Sequence, residues 1–234
     1  SITAILACGG DVHTTTVNEL YTPLHIAVRY RNKEVIDMLL KHKADVHSKD
    51  INDCTPLHAA AATNVAEIVE TLLLHGADVT STSKQGETPV FIASKIGNGI
   101  TLKTLLSIKG ASINTPSKNG NTPFSVALKN AHSSVLKVMK EHGIDLDQVT
   151  RSGDTNLTLA VKERNDKLVN ALLVAGCNVN ATNRDGMTAL HIAIQHNQLE
   201  LIETLLKKKE IDTNILSNEG FAPLHLASMQ HKAY

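Results

Sequence analysis

Apolar residues recur along the chain at positions i, i+3 and i+4 in short segments that polar stretches separate. The segments share one form, an apolar pair followed by a second pair, as in Val35-Ile36 with Leu39-Leu40, Ile68-Val69 with Leu72-Leu73, and Leu201-Ile202 with Leu205-Leu206. This spacing is that of an amphipathic α-helix with one buried face. The pattern therefore predicts a series of short helices, each of which needs a neighbour to cover it.

A six-residue box precedes each segment and predicts a second, earlier helix. It reads Thr22-Pro23-Leu24-His25-Ile26-Ala27 in its first copy, and six further copies begin at residues 55, 88, 122, 155, 188 and 222, spaced 33 or 34 residues apart. Threonine is a good N-cap, and proline at the first helical position leaves no N–H unpaired. A fixed period of this length is typical of a solenoid of stacked units.

The box histidines have a predicted role of their own. They are His25, His58, His191 and His225. Because buried polar groups need partners, we expect each ring to tie the turn of one unit to the turn of the next by a hydrogen bond.

Glycine predominates at two further positions of the period. After the second helix the predicted stop residues are Lys43, Gly76, Gly110, Gly143 and Gly176. A turn glycine two residues before the box appears as Gly86, Gly120, Gly153, Gly186 and Gly220. Both positions suit the left-handed backbone conformation. Leu20 and Asp53 replace the turn glycine in the first two full units, so the sequence predicts less regular turns there.

This period and this box resemble the ankyrin repeat family over the whole chain. The resemblance implies an all-α fold, a curved ankyrin-repeat solenoid of stacked helix-turn-helix units with β-turn fingers. Residues 1–234 then form a single domain of about six full repeats with a partial unit at each end. The predicted boundaries are 1–17 (partial), 18–50 (repeat 1), 51–83 (repeat 2), 84–117 (repeat 3), 118–150 (repeat 4), 151–183 (repeat 5), 184–217 (repeat 6) and 218–234 (partial). No polar capping repeat is visible at either end, so we expect a fragment of a longer array.

Composition and motifs argue against several function classes. Basic and acidic residues balance at 23 each, which argues against nucleic-acid binding as the main task. No apolar run approaches the roughly 18 residues of a membrane span, so we expect no membrane insertion by this segment. No metal, nucleotide or catalytic motif occurs, and the histidines are explained by the boxes and helix ends. The chain is therefore predicted not to be an enzyme and to need no cofactor or metal.

The three cysteines, Cys8, Cys54 and Cys177, fall in different units. Units several places apart cannot bring their sulfurs together, so we expect free thiols in a reducing compartment. This favours a cytoplasmic protein, expected to be a monomer, although a secreted or membrane-attached parent stays open as an alternative.

The resemblance also implies where a protein or peptide partner binds. In ankyrin repeats partners lie along the turn tips and the exposed ends of the first helices, which together form a concave face. The residues of this chain at the matching positions that we expect to contact a partner are Tyr21, Arg29, Tyr30, Lys84, Lys95, Lys118, Lys129, Arg151, Lys162, Arg184, Met187 and Phe221.

The matching positions carry an excess of positive charge. Across repeats 3 to 6 there are seven cations, at 84, 95, 118, 129, 151, 162 and 184, and four anions, at 87, 154, 163 and 185. The surface therefore carries three more cations than anions in a chain that is neutral overall. We hypothesise that it favours an acidic or phosphorylated segment. The alternative is a solvated lysine-rich face without a charge-selective partner.

Two other functions fit the same pattern. One is a structural spacer array in a membrane channel or pore-forming toxin. The other is a substrate-recruiting arm of a larger enzyme. The leading hypothesis is a protein–protein interaction module of a scaffold, adaptor or effector, and fold alone does not choose among the three.

Repeats 4 and 5 depart most from the pattern. Ser125 and Thr158 replace the box histidine, Asn156 replaces the box proline, and Lys140 replaces a leucine of the second apolar pair. A nearest-neighbour array is weakest where its units are poorest, so this region is predicted to open first.

Overall fold

The computed structural model describes residues 2–230, and this part of the chain is all-helical, with fourteen α-helices and no strand. The helices are α1 (Ile2–Ala7), α2 (Pro23–Arg29), α3 (Lys33–Lys41), α4 (Pro56–Ala61), α5 (Ala66–Leu74), α6 (Pro89–Ile96), α7 (Gly99–Leu106), α8 (Pro123–Lys129), α9 (Ser133–Glu141), α10 (Asn156–Lys162), α11 (Asp166–Ala175), α12 (Ala189–Gln195), α13 (Leu199–Leu206) and α14 (Pro223–Gln230). None of them is long and apolar enough to cross a membrane.

The helix starts follow from the box. Thr22 and Thr188 precede α2 and α12 in extended backbone, and each hydroxyl accepts a hydrogen bond from the N–H three residues on. Asn32 and Asn165 cap second helices in the same way. The prediction of two helices per period is thereby confirmed. The exact repeat boundaries stay a prediction, and the last four residues of the predicted partial unit 218–234 lie outside the described residues.

The chain divides into two compact units, one ending at Asn130 and the other beginning at Ala131. In the first unit α2, α4, α6 and α8 pack side by side, and α3, α5 and α7 lie against them. In the second unit α10, α12 and α14 form the corresponding row, with α11 and α13 packed against it and α9 against α11. Each unit is therefore a layer of first helices backed by a layer of second helices.

The core of each unit lies between these two layers. Four box leucines, Leu24, Leu57, Leu157 and Leu190, are fully or almost fully buried, and the box alanines three positions after them are buried as well, whereas Leu224 in the last box is exposed. A buried leucine contributes roughly 1.5–3 kcal/mol relative to leaving it in water. The small alanine lets the next first helix approach closely.

The two longest periods, which begin at residues 88 and 188, have a different helix end. Their second helices, α7 and α13, end at Leu106 and Leu206 and have ordinary right-handed C-caps at Ser107 and Lys207. Gly110 does adopt a positive φ of 100°, but it lies four residues beyond the end of α7. The prediction that Gly110 ends this helix was therefore wrong, because the helix stops earlier and a longer connection takes up the extra residue.

The turn at Asp53 is more regular than predicted, whereas the turn at Leu20 is irregular as predicted, since the Leu20 N–H donates to the Thr16 carbonyl four residues back over 3.2 Å. Both residues adopt the left-handed conformation, with φ of 57° and 58°, as Gly86 does with 72°. The N–H of Asp53 donates to the Asp50 carbonyl over 2.9 Å, matching the 2.8 Å bond from Gly86 to Ser83. The surrounding turn imposes this conformation at a cost of about 1–3 kcal/mol for a residue with a side chain.

Backbone hydrogen bonds join successive turn tips within each unit. The Ile51, Lys84 and Lys118 N–H groups donate to the carbonyls of Glu19, Asn52 and Gln85 over 2.8–2.9 Å. In the second unit the Arg184 and Asn218 N–H groups donate to Gly153 and Asp185 over 2.8 and 2.9 Å. Neighbouring tips therefore lie at a fixed distance and in a fixed register.

Three box histidines add a second tie, as predicted. The Nε2 atoms of His25, His58 and His191 lie 3.0, 3.1 and 2.9 Å from the carbonyl oxygens of Cys54, Glu87 and Phe221 in the next turn. In each ring Nδ1 accepts the N–H of the N-cap threonine or lies within reach of its hydroxyl. Nε2 therefore carries the proton and donates it to the carbonyl.

We expect His58→Ala to lower the free energy of unfolding by about 2–3 kcal/mol, because it leaves the Glu87 carbonyl unpaired and opens a cavity. His225→Ala is the matched control, since His225 is exposed and its ring bonds only to the Ala222 N–H within the described residues. The control is expected to cost less than about 1 kcal/mol. Urea unfolding of both variants measures the difference, and equal losses would contradict a role for the inter-turn bond.

Stability is expected to fall in mild acid. Burial is the main cause that lowers the pKa of His25 and His58 below the ordinary value, against the opposing effect of their carbonyl partners. The unfolded chain therefore binds more protons than the folded one once the pH drops below about 6.5, and the stabilisation is lost as the pH falls through the lowered folded values. Unfolding free energies measured from pH 7.5 down to about pH 5 test this. A variant with phenylalanine at both sites, as Phe91 in repeat 3, should lose less over this window.

The middle of the chain is expected to open first. Phe91, Ser125 and Thr158 replace the histidine in three successive boxes. The Phe91 side chain has no donor, and the Thr158 hydroxyl donates only within its own repeat among residues 2–230. Native-state hydrogen exchange should therefore show lower protection for residues 120–170 than for residues 22–80. Slower exchange in 120–170 would contradict the prediction.

Candidate partner-binding surface

The turn tips and the ends of the first helices form a set of mostly exposed positions in each unit, here called the finger surface. It comprises the residues flanking the turn glycine position and the last residues of each first helix. Of the twelve residues predicted to bind a partner, nine are exposed and three, Tyr21, Met187 and Phe221, are half-buried. The first unit holds the seven residues from Tyr21 to Lys129, and the second unit holds the other five.

Three of the predicted basic residues are held by their own repeat. The Arg29 Nη1 atom donates to the Tyr21 hydroxyl over 2.6 Å, and its guanidinium carbon lies 4.8 Å from the Tyr21 ring centroid. Lys95 Nζ lies 2.9 Å from a Glu87 carboxylate oxygen. In each pair the turn tip is joined to the end of the first helix eight residues later.

The third pair, Asp154 with Lys162, forms part of a buried network. Lys162 Nζ lies 2.7 Å from Asp154 Oδ1, and the Asn183 side chain of the next turn donates to the same oxygen over 3.1 Å. Burial by itself raises the pKa of Asp154, but the hydrogen bonds from Lys162 and Asn183 outweigh it and lower the pKa below its ordinary value. This network connects two turns where Thr158 has replaced the box histidine.

Sequence reasoning missed these pairs and treated Lys95 and Lys162 as free charges. The available signal was the spacing of eight residues between a polar turn residue and a cation, which occurs in repeats 1, 3, 4 and 5 and joins the two residues in repeats 1, 3 and 5.

Of the seven predicted cations in repeats 3 to 6, five remain without an ion pair among the described residues. They are Lys84, Lys118 and Lys129 in the first unit and Arg151 and Arg184 in the second. Each ion pair removes one charge of each sign, so the finger-surface positions of repeats 3 to 6 keep their excess of three cations over anions. The charge available to a partner lies on these five side chains.

A cavity of about 450 Å³ opens on the finger surface of the first unit. Its lining includes Tyr21 and Arg29 from repeat 1, Asn52, Cys54 and Thr63 from repeat 2, and Ile92 from repeat 3. Sequence reasoning placed these positions on one face but did not predict a concavity among them.

A larger cavity, of about 710 Å³, lies between α1, α2 and α3 and is lined by apolar residues such as Leu6, Ile26 and Leu39. Tyr30 lines this larger cavity and not the smaller one, Arg29 lines only the smaller one, and Tyr21 lines both. The side of α4 and α6 that corresponds to this wall of α2 is covered by the preceding first helix. The larger cavity therefore belongs to the stacking surface of the array.

Two of the cysteines, Cys54 and Cys177, carry no reactive thiolate at neutral pH. Burial raises the pKa of Cys54 to about 11 and that of Cys177 to about 12. A thiol with such a pKa is protonated and a poor nucleophile or metal ligand. No group of histidine, cysteine and carboxylate side chains within residues 2–230 is arranged to hold a metal ion.

Comparison with curated proteins gives no match for this sequence. Among solved structures, the chain is similar to the crystal structure of the ankyrin repeat domain of Bcl-3, a member of the IkappaB protein family. The two share 27% sequence identity with a TM-score of 0.59, over 88% of this chain and 94% of the Bcl-3 chain. A family model described as ankyrin repeats (3 copies) matches residues 1–83, 61–150, 90–183 and 157–233. The chain therefore belongs to the ankyrin repeat family.

Proposed function

We propose that this chain is a non-catalytic protein–protein interaction module that binds a segment of a partner protein along its finger surface. The backbone hydrogen bonds between successive turn tips carry this proposal, because they hold exposed side chains in a fixed register before any partner arrives. Binding to such a surface avoids the entropic cost of ordering flexible loops. The cytoplasmic location and the monomeric state stay predictions.

The partner segment is proposed to be acidic or phosphorylated. In the first unit Lys84 and Lys118 lie on adjacent turn tips, which are joined by the hydrogen bond from the Lys118 N–H to the Gln85 carbonyl. Lys129 is the last residue of α8, the first helix of the same repeat as Lys118. All three side chains are exposed and have no ion pair among the described residues. Unpaired cations in register attract carboxylate or phosphate groups and speed association at low salt.

We expect the variant Lys84→Glu, Lys118→Glu, Lys129→Glu to lose its specific partner. A quantitative pull-down from cell extract at low and at physiological salt measures this. Reversing three charges replaces attraction by repulsion, so recovery of the partner is expected to fall at least about tenfold, with the larger effect at low salt.

The matched control reverses three exposed lysines on the opposite side of the first unit, in Lys41→Glu, Lys103→Glu, Lys109→Glu. These residues belong to the second helices and the connections after them, and they also have no ion pair within residues 2–230. The control changes the net charge of the protein by the same amount as the first variant and is expected to retain the partner. Equal retention by both variants would contradict binding through the finger surface and would favour a structural spacer.

A further inference from the structure

The cavity of about 450 Å³ on the first unit arises because repeat 2 carries small side chains where other repeats carry larger ones. The clearest case is Ala59, which lines the cavity. The residues at the same box position of the other repeats are Ile26, Ile92, Val126, Leu159, Ile192 and Leu226. Ala62, at the end of the same helix, stands where Arg29 and Lys95 stand in the neighbouring repeats. The space is thus specific to repeat 2.

One rim of the cavity is cationic. Arg29 is fixed there by its hydrogen bond to the Tyr21 hydroxyl and by its position over the Tyr21 ring. Arg31 also lines the cavity, is exposed, and makes no ion pair within the part of the chain that the structure describes. The rim therefore repels a lysine or arginine side chain and attracts a carboxylate.

Asp50 lines the same cavity and is only 8% exposed. Its Oδ1 atom accepts the N–H groups of Asn52 and Cys54 over 2.8 and 2.9 Å and so holds the turn. Asn183 holds the corresponding turn of repeat 6 with its single side-chain oxygen, over 3.0 and 2.9 Å. The turn needs one oxygen, and Asp50 supplies two.

The second oxygen, Asp50 Oδ2, accepts no hydrogen bond from residues 2–230. This oxygen is not fully buried, so a molecule in the cavity can reach it, and carboxylate oxygens in proteins are normally hydrogen-bonded. A ligand in this cavity therefore has a hydrogen-bond donor to offer and an apolar body to lie against Ala59, Ala62 and Ile92.

We propose that this cavity receives a tyrosine or tryptophan side chain of the partner segment, with an acidic residue of the same segment next to it. The ring packs on the small apolar wall, its O–H or N–H donates to Asp50 Oδ2, and the neighbouring carboxylate pairs with Arg29 and Arg31. Tyrosine and tryptophan combine a large apolar surface with one donor at the tip and are the side chains that most often anchor interfaces. This inference rests on the proposed function, since it names the anchor on the same surface.

A phage-displayed library of random 12-residue peptides, selected on the wild-type chain, is the probe. The expected selected peptides share a tyrosine or tryptophan next to an aspartate or glutamate. The variant Ala59→Ile places in the cavity the side chain that repeats 3 and 6 already carry, and it is expected to weaken these peptides at least tenfold while the thermal midpoint stays equal or rises. Val126→Ile, at the same position of repeat 4, is the matched control and is expected to bind as the wild type does.

Asp50→Asn tests the donor directly. The asparagine can hold the turn with its oxygen, as Asn183 does, and then presents a donor to the cavity where the carboxylate presented an acceptor. We expect this variant to bind a selected peptide about tenfold more weakly. A peptide with phenylalanine in place of the tyrosine or tryptophan is expected to bind the variant and the wild type with equal affinity, because phenylalanine has no donor to offer Asp50.

Peptides without an aromatic donor beside an acid, or affinities unchanged by Ala59→Ile, overturn the proposed anchor. They leave the proposed function testable on its own, because that function depends on Lys84, Lys118 and Lys129, which do not line the cavity. If the triple glutamate variant loses the natural partner while Ala59→Ile binds fully, the proposed interaction module is supported and the proposed aromatic anchor is rejected.

Discussion

The structure depends on the fact that no single repeat of this chain can bury its own apolar face. A helix such as α4 has six residues, of which five are buried, and its partners are α2 and α6 of the adjacent repeats as much as α5 of its own. Stability is therefore a property of neighbours, and the residues that face a neighbour are mostly leucine, alanine, valine and isoleucine. Positions at the turn tips and helix ends escape this restriction.

Those unrestricted positions serve two purposes that compete with each other. Where the box histidine is present, its ring ties one turn to the next, and the turn residue beside it is free to vary, as Cys54 and Phe221 show. Where Thr158 replaces the histidine, a hydrogen bond from Asn183 to Asp154 joins the turns instead. Lys162 forms an ion pair with the buried Asp154 carboxylate and neutralises its charge. A cation that stabilises the array in this way is no longer available to a partner.

Local physical rules made the repeated framework predictable from the sequence. The N-cap threonine, the helix start and the role of His58 each follow from one residue and its immediate neighbours. The pairing of Lys95 with Glu87 could not be found by the usual spacing of three or four residues along a helix, because it crosses from a turn to the far end of the next helix. The helix end before Gly110 was misplaced because glycine permits a positive φ without requiring a helix to stop there.

The cavity in repeat 2 depends on the side chains of three adjacent repeats and cannot be predicted from one repeat alone. Cys54, Ala59 and Ala62 are individually unremarkable substitutions, and only the larger Tyr21 and Ile92 in the repeats on either side turn their small volume into a concave space. Asp50 is a second example, since its Oδ1 atom accepts the backbone hydrogen bonds that hold the turn and its Oδ2 atom is not needed for them. In a stacked array, recognition chemistry can therefore be added at a position whose structural duty is already met, without loss of the fold.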